Sequence, residues 1–276
     1  MRAHTTVVFC AIDDFIPVAG KPLLGFVEFL EGLSAAGIPC IWVSTRSRHQ
    51  LDFPIRKLGH AAPFIGEGGS GVYLPEDYFH LKTEKTVRLG RFMCIPVAAA
   101  QPAASEALEA LAEETSIAVV PLRSLSPREL VQNTGLTRNA AESLRQRDFD
   151  ELFFFAGASD ADIQRFQKQA VHRKLTVRRI DSLWSLGAGA SLSSCVRHLS
   201  KLYDRALHAH AFSISLATAA RGGDLQPLCD RSIVMTSRHD DPAKVETLNR
   251  PAPKALPLFA ADIWELALES IRSRQF

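Results

Sequence analysis

The chain has no run of apolar residues long enough to cross a bilayer, which leaves no candidate for a membrane-spanning helix. It has no dense block of lysine and arginine either. A formal charge of +2 over 276 residues offers no field to gather nucleic acid or an anionic membrane. Paired C-x-x-C spacing is missing: Cys10, Cys40, Cys94, Cys195 and Cys229 are scattered and odd in number. That pattern points to a reducing compartment, argues against a zinc site, and fits buried small hydrophobes. No charged-then-apolar leader precedes the first strand-like run, so the expectation is a cytoplasmic protein. Internal repeats and low-complexity tracts are absent as well. What is present, 46% apolar and 22% charged residues, is the composition of a globular chain long enough for two domains.

The organising stretch is Thr5 to Asp14. Val7-Val8-Phe9-Cys10-Ala11-Ile12 is a nearly unbroken apolar run ending in Asp13 and Asp14, as in a strand of a parallel sheet covered on both faces. In such sheets ligands sit at the carboxyl ends of the strands, so the residues after Cys10 decide the chemistry. The apolar spacing from Lys21 to Ala36 predicts a helix stopped by Gly37. Ile38 to Val43 predicts a second buried strand ending in Ser44-Thr45-Arg46-Ser47-Arg48. Strand, helix, strand is a βαβ unit whose loops share one sheet edge.

Gly66-Glu67-Gly68-Gly69-Ser70-Gly71 has G-x-G-x-x-G spacing but is followed by strand-like Val72-Tyr73-Leu74-Pro75 rather than a helix, so it reads as a glycine-rich hairpin. From Phe92 a smaller α/β unit follows. Helices are predicted over Ala103–Glu114, from the Ser126-Pro127-Arg128-Glu129 cap, over Thr137–Arg147, and after Ser159; strands are predicted over Ile117–Val120, Leu152–Phe155 and Thr176–Ile180. The larger pattern then resumes: a helix through Cys195 to Leu202, strands over Ala211–Leu216 and Ser232–Met235, a proline-rich loop over Asp241–Pro257, and a closing helix over Leu258–Ile271. The expectation is an α/β protein whose parallel-sheet core (1–91 and 187–276) is interrupted by an α/β cap (92–186).

This order of pieces resembles the haloacid dehalogenase (HAD) superfamily, and within it the mannosyl-3-phosphoglycerate phosphatase family, with a Rossmannoid core and an inserted cap of C2B-like type. The family's V-F-T-D-L-D-G-T-L opening is similar to Val8-Phe9-Cys10-Ala11-Ile12-Asp13-Asp14-Phe15-Ile16. Its P-F-I-x-E-N-G-G hairpin resembles Pro63-Phe64-Ile65-Gly66-Glu67-Gly68-Gly69, with Tyr73 and Pro75 one residue on. Its cap signature resembles Gly135-Leu136-Thr137-Arg138 with Ala141, then Arg147-Asp148-Phe149-Asp150-Glu151.

The resemblance implies a phosphoric monoester hydrolase, yet the implied catalytic residues are missing. The nucleophilic Asp of that family falls on Ala11, and only the acid/base position, Asp13, keeps its carboxylate. The lysine falls on Leu192, a metal-binding Asp falls on Thr218, and a substrate arginine is replaced within Asp181-Ser182-Leu183. A methyl group cannot form an aspartyl-phosphate. Losing one member of a covalent catalytic unit can cost on the order of 10⁶ in rate, and this chain lacks several.

The leading expectation is therefore a pseudophosphatase that binds a phosphorylated sugar or glycerate, or another anion, or that acts in regulation. By resemblance the anion and substrate positions are Ser44, Thr45, Arg46, Glu67, Gly69, Arg147, Asp150 and Glu151, and Arg221 adds a positive charge where the metal loop stood. No metal or cofactor is expected. One alternative is a working phosphohydrolase in which Asp13 or Asp14 takes over the attack, with Mg²⁺ as its cofactor. Another is an interaction subunit serving a protein partner or a homo-oligomer without a small ligand. His208 and His210, alternating with no third ligand, read as loop residues rather than a metal site.

Overall fold

The computed structural model describes residues 5–18, 21–81, 85–219, 222–237, 253–258, 260 and 262–275. In chain order the larger unit begins with strand β1 (Thr6–Ala11), helix α1 (Phe26–Ala35), β2 (Cys40–Val43), α2 (Arg48–Lys57), β3 (Phe64–Gly66), β4 (Gly71–Pro75), β5 (Val87–Leu89) and β6 (Phe92–Pro96). The chain then enters the smaller unit with α3 (Gln101–Thr115), β7 (Val119–Pro121), α4 (Pro127–Thr134), α5 (Arg138–Arg145), β8 (Glu151–Phe155), α6 (Asp160–His172), β9 (Leu175–Ile180) and β10 (Leu183–Ala188). It returns with α7 (Leu192–Leu207), β11 (Phe212–Thr218), β12 (Arg231–Thr236), β13 (Lys254–Pro257) and α8 (Ile263–Ser273).

The larger sheet has nine strands in the order β13-β12-β11-β1-β2-β3-β4-β6-β5. β1 lies between β11 and β2 and is parallel to both. Every residue of β1 is buried because alternate side chains enter two different cores. Val8 and Cys10 face the side covered by α1 and α8, whereas Val7, Phe9 and Ala11 face the side covered by α7. That two-sided burial is why the sequence reads as a continuous apolar run. On the first side Phe15, Phe26 and Phe29 pack around Trp264 with ring centroids 5.0 to 5.4 Å from it. Each such ring contributes roughly 1.5–3 kcal/mol by burial.

Helix α1 begins at Phe26 rather than Lys21, because Gly25 holds a left-handed φ of +79° against the Trp264 ring. Any Cβ there would lie 2.6 Å from Trp264 Cδ1. Leu23 and Leu24 therefore precede the helix, and Leu24 is exposed. The glycine-rich hairpin forms as expected, β3 pairing antiparallel with β4.

The smaller sheet is antiparallel in the order β7-β8-β10-β9. Its α3 and α6 side encloses Leu108, Phe153 and Phe166, and its α4 and α5 side encloses Leu130, Leu144 and Leu152. The Ser126–Glu129 capping box starts α4 as the sequence predicts. Three boundaries differ. β6 pairs with β4 and β5 in the larger sheet, so the crossing to the smaller unit comes after Pro96 instead of at residue 92. β10, whose Gly187 and Ala188 still pair with β9, carries the return past residue 187. Helix α5 ends at Arg145, which leaves Arg147 outside it with its side chain free to turn inward.

Lys254–Pro257, expected as loop, is an edge strand parallel to β12, with Pro257 at its end where a missing N–H costs no ladder bond. Residues 241–252 of that expected loop lie outside the described residues. All five cysteines are free and buried, as small hydrophobes. Among the described residues no helix is long and apolar enough to cross a membrane.

Candidate functional site

The carboxyl ends of β1 and β2, the start of α7 and the β9 edge of the smaller unit enclose a cavity of about 640 Å³, lined among others by Ala11, Asp13, Thr45, Arg178, Leu192 and Asp224. This is the crevice that a parallel sheet predicts at its strand ends. Ala11, 9% exposed, puts a methyl group on its floor.

Asp13 and Asp14 leave β1 in a single 3₁₀ turn and point to opposite neighbours. Asp13 turns to the β2 loop. Its Oδ1 accepts from Ser44 Oγ at 2.5 Å, and its Oδ2 accepts from the Thr45 amide and hydroxyl, each at 2.7 Å. Arg46 Nε lies 3.3 Å from Oδ1, with both side chains under a tenth exposed. The guanidinium also donates to the Ile16 carbonyl. Thus the hydroxyls and the arginine expected to hold an anion are brought together, but around Asp13. Asp14 turns to β11, where its Oδ2 accepts from the Thr218 amide at 2.8 Å and hydroxyl at 2.9 Å. The two acids act as struts that tie β1 to both flanking strands.

At the start of α7, Ser191 caps the helix by accepting from the Ser194 amide at 3.2 Å, and Leu192 packs against the apolar cluster beneath. Gly69 belongs to this packing. Its φ is +98°, a Cβ would lie 2.5 Å from the Leu192 nitrogen, and its carbonyl accepts from Ser191 N–H at 2.9 Å. Magnesium takes oxygen ligands, usually one or two carboxylates plus substrate phosphate. The donor set at the motif positions does not fit that ion: a methyl stands at 11, and at 218 a threonine engaged with Asp14. Among the described residues no group of three or more His, Cys, Asp or Glu could hold a metal. His210 lies 3.6 Å from Asp204 and 3.4 Å from Asp230 on the exposed surface, an ion-pair arrangement when protonated.

The remaining signature residues build a buried clamp between the two units. Glu67 sits in the hairpin turn at a left-handed φ of +49° and is 2% exposed. Its Oε1 accepts from the Asp148 amide and its Oε2 from the Phe149 and Asp150 amides, each at 2.9 Å. Arg147 forms a two-pronged pair with Asp150 (2.5 and 2.8 Å) and donates to Gln50 Oε1 at 2.9 Å and to the Thr45 carbonyl at 2.8 Å. Ser185 Oγ adds a bond to Asp150 at 2.5 Å. Asp148, in turn, takes Arg48 at 2.7 Å and the Tyr73 hydroxyl at 2.9 Å. Burial and the Asp150 carboxylate push the Glu67 carboxyl up to about 8 against the opposing pull of Arg147. Burial alone would lower the Arg147 pKa, but Asp150 and Glu67 outweigh it and raise it. Glu151 is buried inside the smaller unit, accepting from Ser105 Oγ and Gln101 Nε2 at 2.5 Å each, with Arg123 at 3.3 Å. Its carboxyl is raised by burial despite these donors.

Of the expected binding positions, then, Ser44 and Thr45 line the crevice. Glu67, Asp150 and Glu151 do not line it, and Arg147 lines a neighbouring pocket of about 310 Å³ with its guanidinium engaged in the clamp. Arg221 lies outside the described residues. The sequence reading missed the charges on the cap side: Arg178 and Arg179 of β9, followed by Asp181 and, across the crevice, Asp224. Arg178 donates to the Gly68 carbonyl, and Arg179 donates to the Asp181 carbonyl at 3.0 Å. Burial lowers the Arg178 pKa, and Asp224 is the main opposing charge. The Val177-Arg178-Arg179 run at the end of a cap strand was the available signal.

The fold, a parallel-sheet core with an inserted cap, matches that of HAD proteins of the subclass IIB kind. A HAD subclass IIB sugar phosphatase superposes at a TM-score of 0.62 with 11% identity, covering 97% of this chain and 99% of that one. A HAD phosphatase from Bacteroides thetaiotaomicron gives 0.63 with 12% identity over 97% and 95%. In sequence, the chain is similar to a glucosyl-3-phosphoglycerate/mannosyl-3-phosphoglycerate phosphatase of Methanococcoides burtonii, 23% identical over 51% of this chain and 50% of that protein. A protein of the same description from Persephonella marina is 22% identical over 64% and 65%, and a mannosyl-3-phosphoglycerate phosphatase of Pyrococcus furiosus 19% over 68% and 74%. The matched region thus spans between half and about two-thirds of the first two relatives' length. No family model matches the chain.

Proposed function

We propose that this chain is a phosphatase-fold binding protein, without the phosphatase reaction, whose crevice takes a phosphorylated sugar or glycerate of the kind its relatives' names describe. The observation that carries this reading is the methyl group of Ala11 on the crevice floor, beside an Asp13 carboxylate already accepting from Ser44 and Thr45. Phosphate-monoester hydrolysis needs acceleration of up to about 10²¹-fold, and positioning without nucleophile, lysine or metal supplies only a part of that.

Binding is a separate matter. Arg178 and Arg179 bring two guanidinium groups to the cap side of the cavity, and guanidinium pairs with phosphate oxygens without a metal. Asp181 and Asp224, which line the same cavity, suit the hydroxyl donors of a sugar or glycerate. The contacts of Asp13 and Asp14 with the neighbouring strands count against the rearranged hydrolase.

The test is calorimetric titration of the full chain with mannosyl-3-phosphoglycerate and glucosyl-3-phosphoglycerate, with and without Mg²⁺, alongside a phosphate-release assay. The expected result is metal-independent binding, weakened about tenfold in Arg179→Gln, as the loss of one charged hydrogen bond implies, and no phosphate release. Saturable, Mg²⁺-dependent release that follows the protein through purification overturns the reading.

A further inference from the structure

Outside the crevice, the loop after β1, helix α2 and helix α5 enclose a second cavity of about 400 Å³. It lies where core meets cap, and its size is that of a small-molecule site. Its apolar wall includes Pro17, Val18 and Phe53. Phe53 is 67% exposed and Val18 45%, so two of the molecule's exposed large hydrophobic side chains meet on this one groove. An exposed aromatic beside a concave surface marks a binding site more often than scattered apolar residues do.

The charge on the groove has one sign. The Lys57 ammonium stands 5.7 Å from the centroid of the Phe53 ring. His49 and Asn139 add hydrogen-bonding groups, and among the described residues no aspartate or glutamate lines the wall. The nearest acid on α2, Asp52, is taken by Arg56 at 2.6 Å and Arg91 at 3.2 Å. Arg46, which also lines the cavity, is already paired with Asp13. The crevice differs: its wall carries Asp13, Asp181 and Asp224 beside its arginines.

We propose that this groove is a second ligand site, for a small organic anion with an apolar body, in which an aromatic or branched aliphatic group packs on Phe53 and Val18 while a single carboxylate, sulfonate or phosphate meets Lys57. The site stands independently of what the crevice binds.

Anilinonaphthalene sulfonate, an aromatic body with one anionic group, is the probe, titrated by fluorescence into the full chain. The expected result is saturable one-to-one binding, weakened about tenfold in Lys57→Glu by loss of the charged contact and similarly in Phe53→Ser. Both positions are on the surface, and unchanged thermal melting confirms that the variants are folded. Uncharged phenylnaphthylamine is expected to bind Lys57→Glu as it binds the parent. Equal sulfonate binding by parent and both variants overturns the proposal. So does binding that falls in Arg179→Gln but not in Lys57→Glu, because the probe is then in the crevice. A dimeric parent with a monomeric Phe53→Ser variant in sedimentation also overturns it, because a second copy then covers the groove.

Discussion

The crevice floor and the clamp meet at one residue and treat charge in opposite ways. Thr45 gives its amide and hydroxyl to Asp13 on the floor and lends its carbonyl to Arg147 of the clamp. On the floor, the positions that the resemblance assigns to chemistry carry, Asp13 apart, a methyl, an isobutyl and a hydroxyl. In the clamp, Glu67, Arg147 and Asp150 all keep their ionisable groups, with side chains at most 3% exposed. The difference follows from solvation. A carboxylate at the open end of a strand leaves no buried partner behind when it becomes a methyl. A buried ion network cannot be dismantled one residue at a time, because each removal strands a desolvated charge. The buried network and the open crevice floor therefore answer to different constraints.

The largest test of that contrast is Arg147→Met. It leaves the Asp150 carboxylate buried without its cation and should cost about 3–5 kcal/mol in urea unfolding. Leu192→Gln on the floor should shift stability by under about 1 kcal/mol, as a half-buried site at a cavity wall allows. Similar costs for the two variants would erase the distinction.

Asp14→Ala probes whether the strut after the floor behaves like the clamp. It removes the acceptor for both donors of Thr218, a loss of about 1–3 kcal/mol for donors left without a partner. A cost near zero would mean that β1 and β11 are held by their backbone ladder alone.

A further effect is graded by pH. The Glu67 carboxyl is raised from its ordinary 4.5 to about 8, so the folded chain binds that proton more tightly than the unfolded one. The stability it contributes is complete below about 4.5 and is lost as pH rises towards 8, by at most about 1.4 kcal/mol per pH unit. Glu67→Gln should be less stable throughout, since an amide NH₂ cannot accept the backbone donors at one of its two ends, but its melting temperature should vary less between pH 5 and 8. His60 works the other way: its pKa is lowered by burial to about 4, so its contribution is lost on acidification. The comparison of parent with variant cancels that background.

The core was legible in the sequence because burial on two faces writes itself as a nearly unbroken apolar run, as in β1 and β2. Caps were legible for the same local reason, as in Ser126 with Glu129. β13 was not, because its pattern is short and its prolines imitate a loop. The boundary at residue 92 failed because β6 and a cap strand have the same apolar signature; only its pairing with β4 decides. At the site, absences were the readable part, since a methyl at residue 11 states its own chemistry. Partners were not readable. Arg147 and Asp150 could be recognised as belonging together, yet whether they face a ligand or one another depends on a hairpin 80 residues earlier in the chain. Arg178 and Arg179 were passed over because β9 gave no motif, only a place at the cap edge.

The smallest expected effect belongs to the substitution that looks most consequential. Ala11→Asp returns a carboxylate to the crevice floor, where Arg178 also lines the cavity. The chain should still fold, because the cavity that Ala11 lines can receive the longer side chain. Phosphate release from p-nitrophenyl phosphate with Mg²⁺ should nevertheless stay at background. A nucleophile without the lysine and the metal carboxylates lacks the groups that offset charge as it develops in transfer, and incomplete catalytic units retain little of the whole. Thr218 cannot be restored to aspartate on its own, since Asp14 already occupies its amide and hydroxyl and two carboxylates would then face each other. Metal-dependent turnover by Ala11→Asp alone would mean that the floor still holds everything but its nucleophile, and the separation between floor and clamp would collapse.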